Sequence, residues 1–413
     1  MKEYADYFYS LGLNVTCITN EKTVFSANSK RYKRPSHQYD NLFSIRQKKE
    51  TLDSYDWNNA IGIGTLSGEL SIVNEKLAVL DFDLTPLDDI DSILVILGLP
   101  LNYEWVVSTG SKMGFHIYIL LSKHTLIYKL NQETLSYQQT QHADRPIHFN
   151  RVEILLKSHV VLPPSLHAST FCYEFLNCDL PTRLPLKVNQ DNFLDFIEEC
   201  CDVRPMRVLS EAYFSVPNLS QLQVQINNAH QDAIYDFVDK MIIDIETDGL
   251  AKNGVYPRIL QIAWYCLDKY NNIIKKEVFA IRNSDLTQNN AYHINGLSIS
   301  KLNKVGYELN EVFRHLNQYL KHSVEVICYN KEFDLHILNY YMSKSNIYNT
   351  FDIDDSICLM ELVAELTLDG GYIKLEEAYK EYVYPVFECP NHIAESDVYK
   401  TYELYLALKK YIE

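Results

Sequence analysis

The chain is short of positive charge, of glycine and proline, of paired cysteines and of long apolar runs. Its 38 Lys+Arg stand against 54 Asp+Glu, for a net charge of −16. A chain of that sign does not coat duplex DNA by bulk charge, so any nucleic acid is handled locally, through metal ions and a few basic groups. Glycine and proline number 13 each in 413 residues, which excludes collagen-like and low-complexity proteins. The nine cysteines are odd in number, scattered and without a C-x-x-C pair. They predict reduced cytoplasmic thiols rather than a disulfide framework, and the spacings of Cys172, Cys178, Cys200 and Cys201 fit no common zinc finger. The longest apolar run, SILVILGLPL, is too short to span a bilayer. The opening MKEYADYFYS places charges where a secretory leader would be apolar. The expectation is a cytoplasmic protein with no membrane partner.

What is present is a foldable majority, 47% hydrophobic, long enough for two cores. Two β-rich patterns flank a less regular stretch at about 185–236. That stretch holds an acidic helical piece, DNFLDFIEECC, and then the polar SVPNLSQLQVQINNAHQ. The expected division is a domain over 1–215, a linker over 216–236 and a domain over 237–413. In the first, strands are expected at 60–65, 76–83, 104–107, 115–121, 151–156 and 159–162, with a helix at 87–98. In the second, strands are expected at 240–246, 258–267, 274–281 and 325–329. Helices follow at 309–321, 332–343, 355–365, 374–383 and 393–410. The fold class is α/β, in two domains.

In KMIIDIETDGL, Asp244 and Glu246 share one face of a β-branched strand that Gly249 ends. VICYNKEFDLHIL supplies a second strand and then a helix with Asp334 in its first turn. CPNHIAESDVYKTYELYLAL puts Asp397 on the last helix, while His392, five residues earlier, belongs on the loop that feeds it. Carboxylates converging from a strand and two helices suit two hard cations, which clamp the attacking and leaving oxygens of a phosphodiester. A nearby histidine can take the proton of the attacking water.

These residues resemble the DnaQ-like 3′–5′ exonucleases of the DEDDh branch. The match runs through DIETDGL, HINGLS (293–298), NKEFDLHIL and H-x-x-x-x-D, and spans nearly all of 238–413. The resemblance implies a ribonuclease-H-like fold. It implies Asp244, Glu246, Asp334 and Asp397 as ligands of two Mg²⁺ or Mn²⁺ ions, with His392 as general base. It further implies that Leu250, Asn330 and Phe333 contact the 3′-terminal nucleotide. Asp248 departs from the pattern, which usually has a small or hydroxyl residue there.

A second acid pair, Asp81 and Asp83, closes KLAVLDFDL in the first half. Two carboxylates on one strand face repel and need a positive neighbour. Downstream, VVSTGSKMGFHIYIL places Ser111 and Lys112 in a loop before a strand carrying His116. RVEILLKSHVVLPPSLHAS then supplies Glu153 and, two alternations on, Lys157. Backbone N–H groups in such loops can approach a triphosphate, with Ser111, Lys112 and His116 around it. Asp81, Asp83 and Glu153 would then serve two metals.

The ordered set GIGTLSGE, DFD, STGSKMGFH, Glu153 and PPSLH (163–167), with YKRP (32–35) ahead of it, resembles the primase-polymerase branch of the archaeo-eukaryotic primase superfamily over about residues 5–180. The resemblance implies an α+β nucleotidyltransferase with two Mg²⁺ or Mn²⁺ ions and a dNTP or NTP. Ser165 and His167 of PPSLH would join Lys157 around the nucleotide, and Arg34 would contact nucleic acid. No zinc module or helical priming domain is visible, so extension of an existing 3′ end is more secure than de novo priming.

Together the halves predict an enzyme that adds and removes 3′-terminal nucleotides on DNA, single-stranded or primer-template, with RNA possible, and that has room for replication or defence partner proteins. Two alternatives stay open. One is an exonuclease whose first domain only binds nucleic acid or nucleotide; the other is a non-enzymatic scaffold. The 31 tyrosines, including Tyr4, Tyr7, Tyr9, Tyr402 and Tyr405, are expected mainly to pack.

Overall fold

The computed structural model describes residues 1–19, 35, 37–43, 45–70, 72–85, 87–123, 134–138, 151–200, 238–252, 254–323, 325–348, 351–367, 370–384 and 386–412. The chain divides into two units, one drawn from within Met1–Phe214 and the other chiefly from Ser215–Glu413. The expected linker, 216–236, lies outside the described residues. No helix among them is long and apolar enough to cross a membrane. Seven described cysteines, among them the buried Cys17, Cys266, Cys328 and Cys358, are free thiols.

The first unit has two sheets. A small one orders β1 (Val15–Thr19), β2 (Ala60–Leu66) and β9 (His159–Leu162). The larger follows the order β10 (Glu174–Phe175), β5 (Val106–Ser108), β6 (Gly114–Ser122), β4 (Glu75–Asp83), β8 (Arg151–Leu155) and β7 (Thr134–Gln138). A short β3 (Gly68–Leu70) pairs with β4, and every ladder is antiparallel. Among the described residues the unit also has helices α1 (Lys2–Leu11), α2 (Lys49–Asp53), α3 (Ile90–Ile96) and α4 (Gln190–Cys200). The expected helix at 87–98 is a 3₁₀ turn (Leu87–Asp89) leading into α3. No strand or helix was expected at β1 or α1. VTCIT is only five residues long and buried throughout, so it shows no alternation.

Strand β4 is the keel. Phe82 points inward, 4.7 Å from the stacked ring of Phe115 and edge-on to Phe196. Asp81 and Asp83 therefore take the opposite face. Further back, that face meets the small sheet: Tyr118, across from Val79, donates its hydroxyl to the Val161 carbonyl of β9 at 2.9 Å. Leu77 and Val79 are fully buried, and exposure begins at Asp81, where that cover thins.

The second unit is one five-stranded sheet ordered β13 (Ile273–Ala280), β12 (Ile259–Leu267), β11 (Lys240–Thr247), β14 (Glu325–Cys328) and β15 (Ile357–Cys358). Strands β11–β13 form antiparallel ladders, while β14 and β15 continue in parallel. Around it lie α5 (Tyr292–Asn295), α6 (Ile299–Val305), α7 (Leu309–Leu320), α8 (Lys331–Lys344), α9 (Leu359–Leu366), α10 (Leu375–Tyr382) and α11 (Ala394–Leu408). The expected helix at 355–365 begins only at Leu359, because residues 357–358 pair with β14.

Alternation along β11 sorts its two faces. Met241, Ile243 and Ile245 join Trp264, Phe313, Leu316 and Leu338 in one apolar core. Ile242, Asp244 and Glu246 take the other face, the side against which α11 packs. Across the β11–β12 ladder Asp244 faces Ala263 and Glu246 faces Gln261.

Candidate active site

Asp244 and Glu246 sit where β11 runs out. Asp334 enters from the first turn of α8, whose N-cap is Asn330; the Asn330 Oδ1 accepts the Phe333 N–H at 3.4 Å. The Ile245 N–H donates to Asp334 Oδ1 at 3.2 Å, which docks that helix end on β11. Asp397 enters from the first turn of α11, and both of its oxygens are engaged. Its Oδ2 accepts the His392 backbone N–H at 3.0 Å and its Oδ1 accepts Lys400 Nζ at 2.9 Å. His392 lies on the loop before α11, as expected, in the left-handed region at φ 58°. Ligand atoms of Glu246, His392 and Asp397 lie within 4.8 Å of one another, the only such trio of His, Cys, Asp or Glu among the described residues.

Three of the four carboxylates are buried and Asp244 is half-buried; of the four, Glu246 and Asp397 join the compact set with His392. Glu246, Asp334 and Asp397 are each at most 8% exposed. Burial pushes Asp244 well above the usual carboxylate range, and repulsion from Asp334, Asp397 and Glu246 adds to it. Glu246 rises for the same reasons, burial first and then Asp397, with Asn295 pulling the other way. Asp334 is pushed up to about 8 by burial, against the pull of the Ile245 N–H. Asp397 is raised by burial despite Lys400. Asp244 Oδ2 is buried and has no hydrogen-bond partner among the described residues. A buried carboxylate oxygen without a donor is costly. A divalent cation would relieve both that orphan and the mutual repulsion; Glu246, Asp397 and His392 lie close enough to share one ion, while Asp244 and Asp334 join no equally compact set among the described residues.

Residues 241–405 match the exonuclease family, RNase T type. The second unit carries an exonuclease-family domain. The first unit lies outside that match. Similar solved structures include E. coli Exonuclease I in complex with a dA16 oligonucleotide, at 20% identity and TM-score 0.35, covering 41% of this chain and 40% of that one. Another is the zinc-bound E. coli Exonuclease I complex with single-stranded DNA, at 19% identity and TM-score 0.37, covering 42% and 40%. The chain thus spans well under half of these enzymes. No curated protein matches it.

Around the exonuclease-family site the other expected residues fall as follows. Leu250 is 80% exposed, and Phe333 is partly buried against the core. Asp248 accepts the Arg258 N–H at 2.7 Å and so closes the base of the loop that carries Leu250. The HINGLS segment serves the architecture. Its Asn295 donates to the Thr247 carbonyl at 2.9 Å, anchoring α5 to the end of β11. Sequence reasoning missed Lys400, 3% exposed, which brings the one cation in direct contact with this cluster among the described residues. Its spacing of three from Asp397 on a helix was the available signal.

In the first unit, Glu153, Asp81 and His116 form a row across three strands, Asp81 pairing with Glu153 on one side and His116 on the other. His116 Nε2 lies 3.1 Å from Asp81 Oδ1, and Arg151 bonds Glu153. Asp83 sits one step along, opposite Arg151 and Gly114. Asp81, Asp83 and Glu153 do not assemble a compact trio of ligand atoms.

The expected nucleotide contacts fare differently. Ser111 hydrogen-bonds Thr109 at 3.0 Å within its loop, and Lys112 pairs with Glu174 at 2.8 Å. Ser165 is fully buried, its hydroxyl bonded to both N–H and carbonyl of Ile63, which corrects its expected place at a nucleotide: it pins the PPSLH turn to β2. His167 is 1% exposed beside Tyr173. Lys157 lies past the end of β8, over the Phe43 ring, rather than on the strand face of Glu153. Arg34 lies outside the described residues.

Proposed function

We propose that this protein is a metal-dependent 3′–5′ exonuclease. The observation that carries the reading is the compact set of Glu246, His392 and Asp397, with the partnerless Asp244 Oδ2 beside it. Bound Mg²⁺ or Mn²⁺ would supply Lewis-acid stabilisation of the charge that develops on the phosphodiester. His392 takes the proton of the attacking water. Asp244, Glu246, Asp334 and Asp397 would hold the cations. Phe333 and the exposed Leu250 hold the last nucleotide by apolar contact. The substrate is a single strand with a free 3′ end, and the site of action is the cytoplasm.

The decisive experiment follows an end-labelled single strand, DNA or RNA, with Mg²⁺ or Mn²⁺. The expected result is loss of 3′ nucleotides one at a time, abolished by Asp244→Asn. An intact substrate with both metals and both strand types would refute the reading.

A second reading concerns the first unit, and the row Glu153–Asp81–His116 favours it. On this reading, Asp81, Asp83 and Glu153 would hold divalent cations, and the chain would join the α-phosphate of a dNTP or NTP to a 3′ hydroxyl with release of pyrophosphate, giving it both additive and removing activities. Primer extension on a His392→Ala background tests it. Extension that vanishes in Asp81→Ala supports it, and no extension with any nucleotide leaves the first unit as a binding module.

A further inference from the structure

We propose that Lys400 is a positioning residue, one that presets His392 and Asp397 while opposing cation binding by its own charge. This rests on the exonuclease reading. An ammonium has three donors, and all three are spent: on Asp397 Oδ1 at 2.9 Å, Asn391 Oδ1 at 2.6 Å and the Pro390 carbonyl at 2.8 Å. With no hydrogen left for a phosphate and only 3% exposure, Lys400 does not touch substrate. It instead bridges the α11 acid to the two residues before His392. The Ser396 hydroxyl also donates to the Pro390 carbonyl, which fastens the same loop twice. His392 sits at φ 58°, a conformation that a non-glycine residue keeps only when its surroundings enforce it. Lys400 is part of that enforcement. Its positive charge beside Asp397 also offsets one of the four negative charges, which keeps the metal-free cluster tolerable and weakens the pull on a cation.

Lys400→Met keeps the length of the side chain and removes the charge. Mn²⁺ binding, read by electron paramagnetic resonance of the free ion, should tighten by about threefold to tenfold as the repulsion goes. The KM for a labelled single strand should stay within about twofold, while the rate at saturating Mn²⁺ falls by at least about tenfold because His392 is loosened. An unchanged saturated rate overturns the proposal, as does loss of Mn²⁺ binding in a folded variant. Should Lys400→Met fail to fold, Asn391→Ala removes one anchor at the surface. It should cut the saturated rate by about threefold at unchanged Mn²⁺ affinity, and an unchanged rate there overturns the proposal equally. A wild-type protein that degrades nothing refutes the exonuclease reading instead, and the Mn²⁺ titrations still decide whether Lys400 opposes the cation.

Discussion

In the first unit Asp81 meets His116 at 3.1 Å and Glu153 bonds Arg151, with side chains about a quarter exposed. In the second, Asp244 meets three more carboxylates, and its buried Oδ2 finds no donor. Both begin as acid-x-acid at the end of an apolar strand. The difference is what covers the strand end. Beside β4 the cover thins, water reaches the acids, and His116 and Arg151 pair with Asp81 and Glu153. Over β11 the docked ends of α8 and α11 add two acids and one lysine while excluding water. The same short pattern therefore meets cationic side chains in one place and, in the other, leaves a buried carboxylate oxygen without a donor.

The sharpest way to break that contrast is to remove one acid from each cluster. Asp244→Asn or Asp334→Asn should cut strand degradation by about a thousandfold, the scale of losing a group that stabilises transition-state charge. Asp81→Asn should leave degradation within about twofold. If Asp81→Asn were equally damaging, the second unit would not be the sole nuclease centre.

Next in size is the effect of the cation on stability. Mn²⁺ at a hundred times its Kd should stabilise the second unit by about 2.7 kcal/mol, and Asp244→Asn should lose most of that shift in a thermal melt. A wild-type melt that ignores Mn²⁺ would contradict the metal centre.

The raised carboxylates set a pH dependence whose sign follows from linkage. Their folded-state values lie above the unfolded ones, so stability is full below about pH 4 for these groups and is lost as pH rises toward the folded value, about 8 for Asp334. Urea titrations without metal should therefore show the second unit weaker at pH 8 than at pH 5. Saturating Mn²⁺ should flatten the trend, since cation binding replaces the protons. A metal-free protein equally stable at both pH values would mean the acids are not in mutual strain.

Two smaller effects sharpen the comparison. Leu250→Ala should raise the KM for a single strand by about fivefold with kcat little changed, the ~1 kcal/mol of partly burying a leucine on the substrate. In the first unit, Arg151→Ala should change stability by no more than about 0.5 kcal/mol, because its pair with Glu153 is well solvated. A larger loss would mean that Arg151 carries more of that cluster than its exposure suggests.

Much of the second unit was legible in advance. Strand β11 falls within a residue of its expected span, and α7, α8, α10 and α11 differ by a residue or two at their ends. The reason is local: β-branched runs, Gly249, Pro390 and the 3.6-residue period each act over a few residues. Residues whose role depends on distant packing were not legible. Ser165 looks like an accessible loop hydroxyl in PPSLH, yet it is buried against Ile63, 102 positions away in sequence. Asp248 looks like a site variant, yet it serves the base of a loop. Lys400 looks like an ordinary helix lysine, and only the approach of residues 390–391 makes it a buried clamp.

Sequence alone determined which residue types could meet: acids two apart on strand faces, an acid in the first turn of each of two helices, and a histidine ahead of the last. Those follow from short-range periodicity, which the backbone enforces residue by residue. Tertiary structure decided which of those acids lose water and which keep it. Desolvation depends on what packs over a strand end, and that is set by helices that join the sheet from 80 to 160 residues away, roughly, beyond the reach of any local pattern.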